Sequence, residues 1–335
     1  MPGSIIFDGT ENDSIPASGA GTRLMWYPAK AAFRAGRVGF DKDGTQWDAP
    51  KVGRYSAAFG IDTKADGYSA TAIGSQTTAS GFAATAMGFE TTASASASTA
   101  MGDETIASGQ RATAMGRVTT ASGFAATAIG EGTTAASSRS LSIGECNSAN
   151  TLAGNTLFVA GNGNYDFQSE ACGTRSDALI LYTGGSLTIS GTLTESSDRR
   201  LKKEISSLGS DVLWRLSQLR PVRFEFKNQE THPPGRQIGL LAQDVQNEFP
   251  ALVSEGTGGY LSLSYSKLTA VLLKGIQEQQ ANVEQQQATI DSLKEKVQQI
   301  QKVKKRLASL EAERSPSTIA GMTSSRGGLL LSFLI

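Results

Sequence analysis

Histidine is almost missing: His232 is the single one in 335 residues. A multi-histidine metal site is therefore excluded, and a Ser-His-Asp triad could draw on that residue alone. Cysteine is scarce too. Cys146 and Cys172 are the two present, which excludes a zinc ribbon or a disulfide-dense scaffold. From sequence they are equally a pair or two free thiols. Excess charge of either sign is lacking: Lys+Arg and Asp+Glu both number 31. Nucleic-acid binding through bulk positive charge is thereby excluded. Long apolar runs are lacking as well. The longest, 329–335, falls far short of the ~20 residues of a membrane-spanning helix, so no membrane insertion is expected. The first seven residues show no basic region followed by an apolar core, so no signal peptide is read there. Either export takes another route, or the chain begins inside a longer product. Nothing calls for a cofactor or a metal.

Glycine, by contrast, is abundant, 37 of 335 residues, against a usual share of ~7 %. It is also periodic. Gly60, Gly74, Gly88, Gly102, Gly116, Gly130 and Gly144 recur every 14 residues, each preceded by Phe, Ile or Met. A second comb runs half a period later through Gly67, Gly81, Ala95, Gly109, Gly123 and Ser137. The unit reads Ala-Thr-Ala-(Ile/Met)-Gly-x-x-Thr-Thr-Ala-Ser-Gly-x-x. Alternation of period 2 within it, as in Thr85-Ala86-Met87-Gly88, is strand patterning. Glycine supplies backbone freedom for corners. The expectation is a coil of two short strands and two corners per 14 residues, each coil pairing with the next. A disordered Ala/Ser/Thr/Gly tract would need no such register. The side chains are small, so one coil buries little apolar area. Association of several chains, with the Ile/Met row as shared seam, would supply the rest.

These units, for instance Ala72-Ile73-Gly74 through Ala79-Ser80-Gly81, resemble the head repeats of YadA-type trimeric autotransporter adhesins. The resemblance covers about 53–150 and implies a left-handed parallel β-roll with three chains side by side. It carries over no ligand residue.

Residues 1–52 read as a lead-in. Trp26, Trp47 and Leu24-Met25-Trp26-Tyr27-Pro28 form either a cap over the open end of the roll or a sugar-binding platform. Residues 151–196 hold short apolar runs between turn residues and read as a β-stalk.

From Ser196 the composition shifts to Leu, Lys, Arg, Glu and Gln. Val212–Leu216 is a helical pattern, Pro221–Phe226 and Tyr260–Tyr265 are strand patterns, and Phe249-Pro250 ends a short helix. A long helix starts near Ser266, a plausible N-cap residue. Ile276, Val283, Ile290 and Val297 recur every seven along it, joined by Leu293, Ile300 and Leu307, which predicts a coiled coil over 266–314. Val303-Leu307-Leu310 shifts the seam as a stammer does. Residues 315–335 read as a disordered tail.

Four motifs recur in order: Ser197-Asp198-x-x-Leu201-Lys202-x-x-Ile205, Pro221-Val222-x-Phe224-x-Phe226, Gly239-Leu240-Leu241-Ala242-Gln243-Asp244-Val245 with Phe249-Pro250, and Tyr265. Together 197–300 resembles the peptidase S74 intramolecular chaperone of phage tail spikes and fibres. The resemblance implies a domain, about 197–265, that assembles three chains and then cuts itself off. It implies Ser197 as nucleophile, Lys202 as general base, the Ser196–Ser197 bond as target and Asp198 in support. Such autoproteolysis is single-turnover and has no external substrate.

The residues themselves add conditions. Lysine, with a reference pKa near 10.4, acts as a base only when burial or nearby cations lower it. Positions five apart fall on opposite faces of a strand and about 140° apart on a helix. Ser197 and Lys202 therefore meet only if the segment bends or if they come from different chains. Lys203 is a rival base, and Ser197-Asp198 is also a helix N-cap sequence. His232 lies in a loop, Thr231-His232-Pro233-Pro234.

The whole chain is thus expected to be mainly β with an α+β C-terminus: a trimeric β-roll, a β-stalk, a small chaperone domain and a coiled-coil helix. The expected function is a homotrimeric fibre or adhesin-like protein, on a virion or a cell surface, that binds itself and a host-surface glycan or protein. The alternative is a foot that trimerises without cleaving, on a glycan-binding or glycan-degrading fibre. Degradation would need a carboxylate pair in a cleft, and Glu90, Asp103, Glu104 and Glu131 are scattered.

Overall fold

The computed structural model describes residues 8–10, 13–39, 43–148, 154–229 and 231–314; the predicted tail at 315–335 lies outside them. The described residues form two compact units. One holds those up to Asp198 together with Glu225–Arg236, and the other Arg199–Phe224 with those from Gln237 onward.

The first unit is a parallel β-solenoid. Seven five-residue strands, Ala57–Ile61, Thr71–Ser75, Thr85–Phe89, Thr99–Asp103, Thr113–Arg117, Thr127–Glu131 and Leu141–Glu145, stack in one sheet. Equivalent repeat positions pair, so Ala100 faces Ala114 and Gly102 faces Gly116. The return path of each coil holds a strand of two residues, such as Ile106–Ala107, and six of these form a second parallel sheet. The two strands of a coil are thus unequal, five residues and two, where the sequence implied two alike.

Of the two glycine combs, Gly67, Gly81, Gly109 and Gly123 lie at corners, as read from sequence, each opening the turn that leads into a long strand. The other comb does a different job: its glycines lie inside the long strands, with φ near +120°, as at Gly102 (φ 125°). A Cβ built on Gly102 would sit 1.9 Å from the Gly116 carbonyl oxygen of the next coil. The column is glycine because adjacent coils stack too closely for a side chain. The positive-φ residues at the corners are mostly not glycine, Gly132 (φ 61°) being an exception. One edge uses Tyr55, Ser69, Ala83, Ala97, Arg111, Ala125 and Arg139, and the other Asp62, Gln76, Glu90, Glu104 and Val118.

Inside the roll, Ala100, Ala114, Ala107 and their equivalents are fully buried. A column of Thr63, Thr77, Thr91, Thr105, Thr119 and Thr133 is buried with them, and their hydroxyls have no hydrogen-bond partner. An unpaired buried hydroxyl costs about 1–3 kcal/mol. Thr105→Val, which keeps the shape, is therefore expected to stabilise the roll by about 1 kcal/mol, read as a raised denaturation midpoint. The Phe/Ile/Met row points outward. Phe59, Ile73 and Ile129 remain 37–39 % exposed in the single chain, consistent with a seam.

The open end of the first coil is covered. Gly21–Tyr27 and Ala32–Val38 form a hairpin whose second strand pairs in parallel with Ala57–Ile61. Trp47 is fully buried and its indole N–H donates to the Thr63 carbonyl at 2.8 Å. Arg34, also buried, donates to the carbonyls of Ser56 and Ala65 and to the Ser56 hydroxyl. Burial pushes its guanidinium down to about 10, against the pull of Asp66, so it stays charged at neutral pH. Both residues satisfy backbone that the end of a solenoid leaves open.

At the other end Thr156–Asn162 continues the sheet in parallel, then Asp177–Tyr182 and Leu187–Ile189 follow antiparallel. A hairpin of Asn164–Asp166 and Ala171–Thr174 is tied to the last coil by a Cys146–Cys172 disulfide, so of the two states open from sequence the paired one is found.

The second unit has a core of Val212, Val245, Phe249, Leu252, Leu268 and Val271. Three helices meet there: α1 (Val212–Gln218), α2 (Ala242–Glu248) and α3 (Tyr265–Arg314). Two small antiparallel pairs, Val222–Phe224 with Gln237–Gly239 and Val253–Glu255 with Leu261–Leu263, complete it. Helix α3 starts at Tyr265, one residue before the predicted cap Ser266, and is 50 residues long. Only its first turns are packed. From Gln279 to Glu313 every residue is exposed in the single chain.

Candidate functional site

Ser190 to Asp211 is the segment that carries the predicted site. Every residue in it is exposed in the single chain, and its one regular feature is a 3-10 turn at Arg199–Leu201. Ser196, Ser197 and Asp198 run straight into that turn. Lys202 follows it, its backbone N–H donating to the Arg199 carbonyl at 3.1 Å. Ser197 and Asp198 end the first compact unit, and Lys202 belongs to the second. The rival base Lys203 is exposed like Lys202.

The apolar side chains of this segment are as bare as the polar ones. Leu193 is 71 % and Leu201 74 % exposed. Leucines in water stabilise nothing, whereas covering them is worth ~25 cal/mol per Å². A lysine that must be neutral to take a serine's proton also needs burial. Neighbouring chains laid over this segment would meet both requirements.

The scaffold beside it explains several of the sequence motifs. Tyr265, at the start of α3, accepts the Leu240 N–H on its hydroxyl at 3.0 Å. A Cβ on Gly239 would come within 2.6 Å of that hydroxyl and 3.3 Å of the Phe224 ring. Two motifs distant in sequence thus meet at one contact, and Gly239 is what lets them close. Asp211 precedes α1 but makes no capping bond. Glu278 of α3 caps it instead, accepting the Leu213 N–H at 2.8 Å. Arg215 lies over the Phe249 ring at 4.4 Å and pairs with Glu248 at 3.7 Å. Nothing local in the sequence marks Glu278, because its partner lies 65 positions away. His232 stacks on Phe226 at 4.6 Å and shares a hydrogen bond with the Thr231 hydroxyl.

One unit is a repeat-built β-solenoid, and the other is a small α+β domain with a long C-terminal helix. Two families account for its parts. Residues 52–77, 79–105, 95–119 and 107–123 match the YadA head domain repeat. Residues 197–254 match the peptidase S74 family, described as the chaperone of endosialidase. The chain thus matches YadA head repeats over 52–123 and the S74 chaperone family over 197–254, in that order. The S74 match begins at Ser197 itself. No protein of curated function matches the chain. Among the described residues no helix is long and apolar enough to cross a membrane.

Proposed function

We propose that three copies of the chain assemble side by side into a fibre, exposed on a virion or a cell surface, that engages a host-surface glycan or protein. The C-terminal domain brings the chains together and then cuts each one between Ser196 and Ser197. Ser197 is the nucleophile, Lys202 the base that takes its proton, and Asp198 supports them.

One observation carries the assembly. The 35 positions from Gln279 to Glu313 are all exposed in the single chain, yet they hold a stripe of Ile290, Leu293, Val297 and Ile300, each 46–59 % exposed. An isolated helix draws little stability from propensity; most comes from packing an apolar face. A seven-residue repeat of such residues fits partner helices of the same kind.

The cut is supported by the S74 match starting at Ser197 and by the exposure of the segment on both sides of it. Supplying Ser197 from one chain and Lys202 from its neighbour would satisfy their five-residue spacing and make cleavage report on assembly.

The test uses Ser197→Ala, which keeps the chain whole. It should sediment at three times the 35.0 kDa chain mass. Adding Ile290→Asp and Val297→Asp should yield single chains, because six buried carboxylates would face one another. A Ser197→Ala chain that is monomeric would overturn the proposal.

A further inference from the structure

The two edges of the roll carry opposite charge. The corner that leads into each long strand comprises two residues per coil, from Arg54-Tyr55 to Ser138-Arg139. Its charged residues are Arg54, Arg111 and Arg139, all basic. The corner that follows each long strand runs from Ile61-Asp62 to Glu145-Cys146. It holds six acids, Asp62, Glu90, Asp103, Glu104, Glu131 and Glu145, and one base, Arg117. Arg117 is shared by Asp103 at 3.5 Å and Glu131 at 3.4 Å, which leaves that edge acidic. The basic edge is aromatic as well. Tyr55, Tyr68 and Phe82 form an exposed ladder with ring centres 5.1 and 5.2 Å apart. Arg111 and Arg139 lie over the Phe124 ring at 5.4 and 5.8 Å.

The heights match. One coil of 14 residues climbs one strand spacing, about 4.8 Å, so seven residues climb about 2.4 Å. Arg54 and Asp62, Arg111 and Glu104, and Arg139 and Glu131 are each seven or eight residues apart, half a coil across the roll. Phe82 stands in the same relation to Phe89, and Phe124 to Arg117. In a ring of three around an axis parallel to the roll, equivalent residues of all chains share one height. Each contact then joins two different surfaces, one from each neighbour.

We propose that the basic, aromatic edge of one roll packs against the acidic edge of the next, with Arg111 facing Glu104 of the neighbouring copy. The proposal rests on the three-chain reading above and adds which surfaces meet and in what register. The partner is a second copy of this chain, because the complementary charge lies on the same molecule at the matching heights. The Phe/Ile/Met row between the edges would then face the axis. The Asn164–Thr174 hairpin meets the acidic edge through Cys146 and Arg117, so the Arg111–Glu104 level is the clearest to test.

The test is a full-length Ser197→Ala chain carrying Glu104→Cys and Arg111→Cys, oxidised mildly and run without reductant. A long strand of five residues keeps the two edges of one roll about 16 Å apart. A disulfide needs Cα atoms within about 7 Å, so no bond can form inside a chain. Covalently closed trimers are expected, and neither single cysteine variant should give them. If the protein sediments as a trimer but stays uncrosslinked, the edge pairing is wrong and the three-chain reading stands. If it sediments as a monomer, both fail. A second measurement guards against a folding defect. Arg111→Glu should lower the melting temperature of the roll, and adding Glu104→Arg should restore it. Two losses that simply add would overturn the pairing.

Discussion

Ser197→Ala is expected to leave the 335-residue chain whole, whereas the unmodified chain splits into pieces of about 20 and 15 kDa, in proportion to length. Removing the attacking hydroxyl should slow the cut by about 10³-fold or more, as loss of a nucleophile does elsewhere. Lys202 separates two roles in the same assay. Lys202→Met removes both base and charge. Lys202→Arg keeps the charge on a group that does not deprotonate. If Lys202 takes the serine proton, both variants fail to cut, while Lys203→Met cuts normally. If Lys202 serves only as a positive charge, Lys202→Arg cuts and the base has to be sought elsewhere. Intact-mass measurement of the four chains distinguishes these outcomes.

Gly102→Val should disrupt the roll. The Gly102 φ is 125°, a region that residues with a Cβ rarely adopt, and its Cβ would sit 1.9 Å from the Gly116 carbonyl oxygen. That oxygen is backbone, held in the parallel sheet by the pairing of the two coils. Relief therefore requires separating strands. A loss of about 4 kcal/mol or more per chain is expected, from backbone strain together with the broken stacking. Gly102→Ala should behave similarly, since its Cβ alone makes the contact. Gly191→Ala is the control: its Cβ would meet nothing within 4 Å. Circular dichroism melting of the three variants is the measurement. A Gly102→Ala roll that melts with the unmodified one would remove close coil stacking as the reason for the glycine column.

The roll was legible because each of its coils obeys one pattern. A 14-residue period with alternation inside it leaves few folds open, and the observed strands fall on the predicted units. What the period could not reveal was which residue does what. Glycine is the usual corner residue, so Gly74 was read as a corner. The observed corners are Ser69 and Gln76, and Gly74 is a stacking position. That distinction depends on the spacing between coils, which no single repeat contains. The charge of the two edges was hidden likewise. Glu90, Glu104 and Arg111 look scattered along the chain, and they separate only when the coils are stacked.

In the C-terminal domain the helices and the strands Val222–Phe224 and Leu261–Leu263 followed from local pattern, to within a few residues at their ends, whereas their partners Gln237–Gly239 and Val253–Glu255 did not. Long-range contacts did not. Tyr265 and Gly239 were visible as motif residues, but their meeting at the Leu240 N–H was not. Glu278 as the cap of α1 left no local trace. The Ser197–Lys202 assignment came from resemblance, since five-residue spacing places the pair on no common face of a regular element. The exposed segment around it and the exposed length of α3 are the surfaces that the proposed assembly would cover.

The most direct measurement is the mass of the folded, unmodified chain, taken once under native conditions and once denatured. A native particle built from three chains is expected, with a denatured N-terminal piece ending at Ser196 and a C-terminal piece beginning at Ser197. A native particle of a single chain, whole when denatured, would contradict both the assembly and the cut.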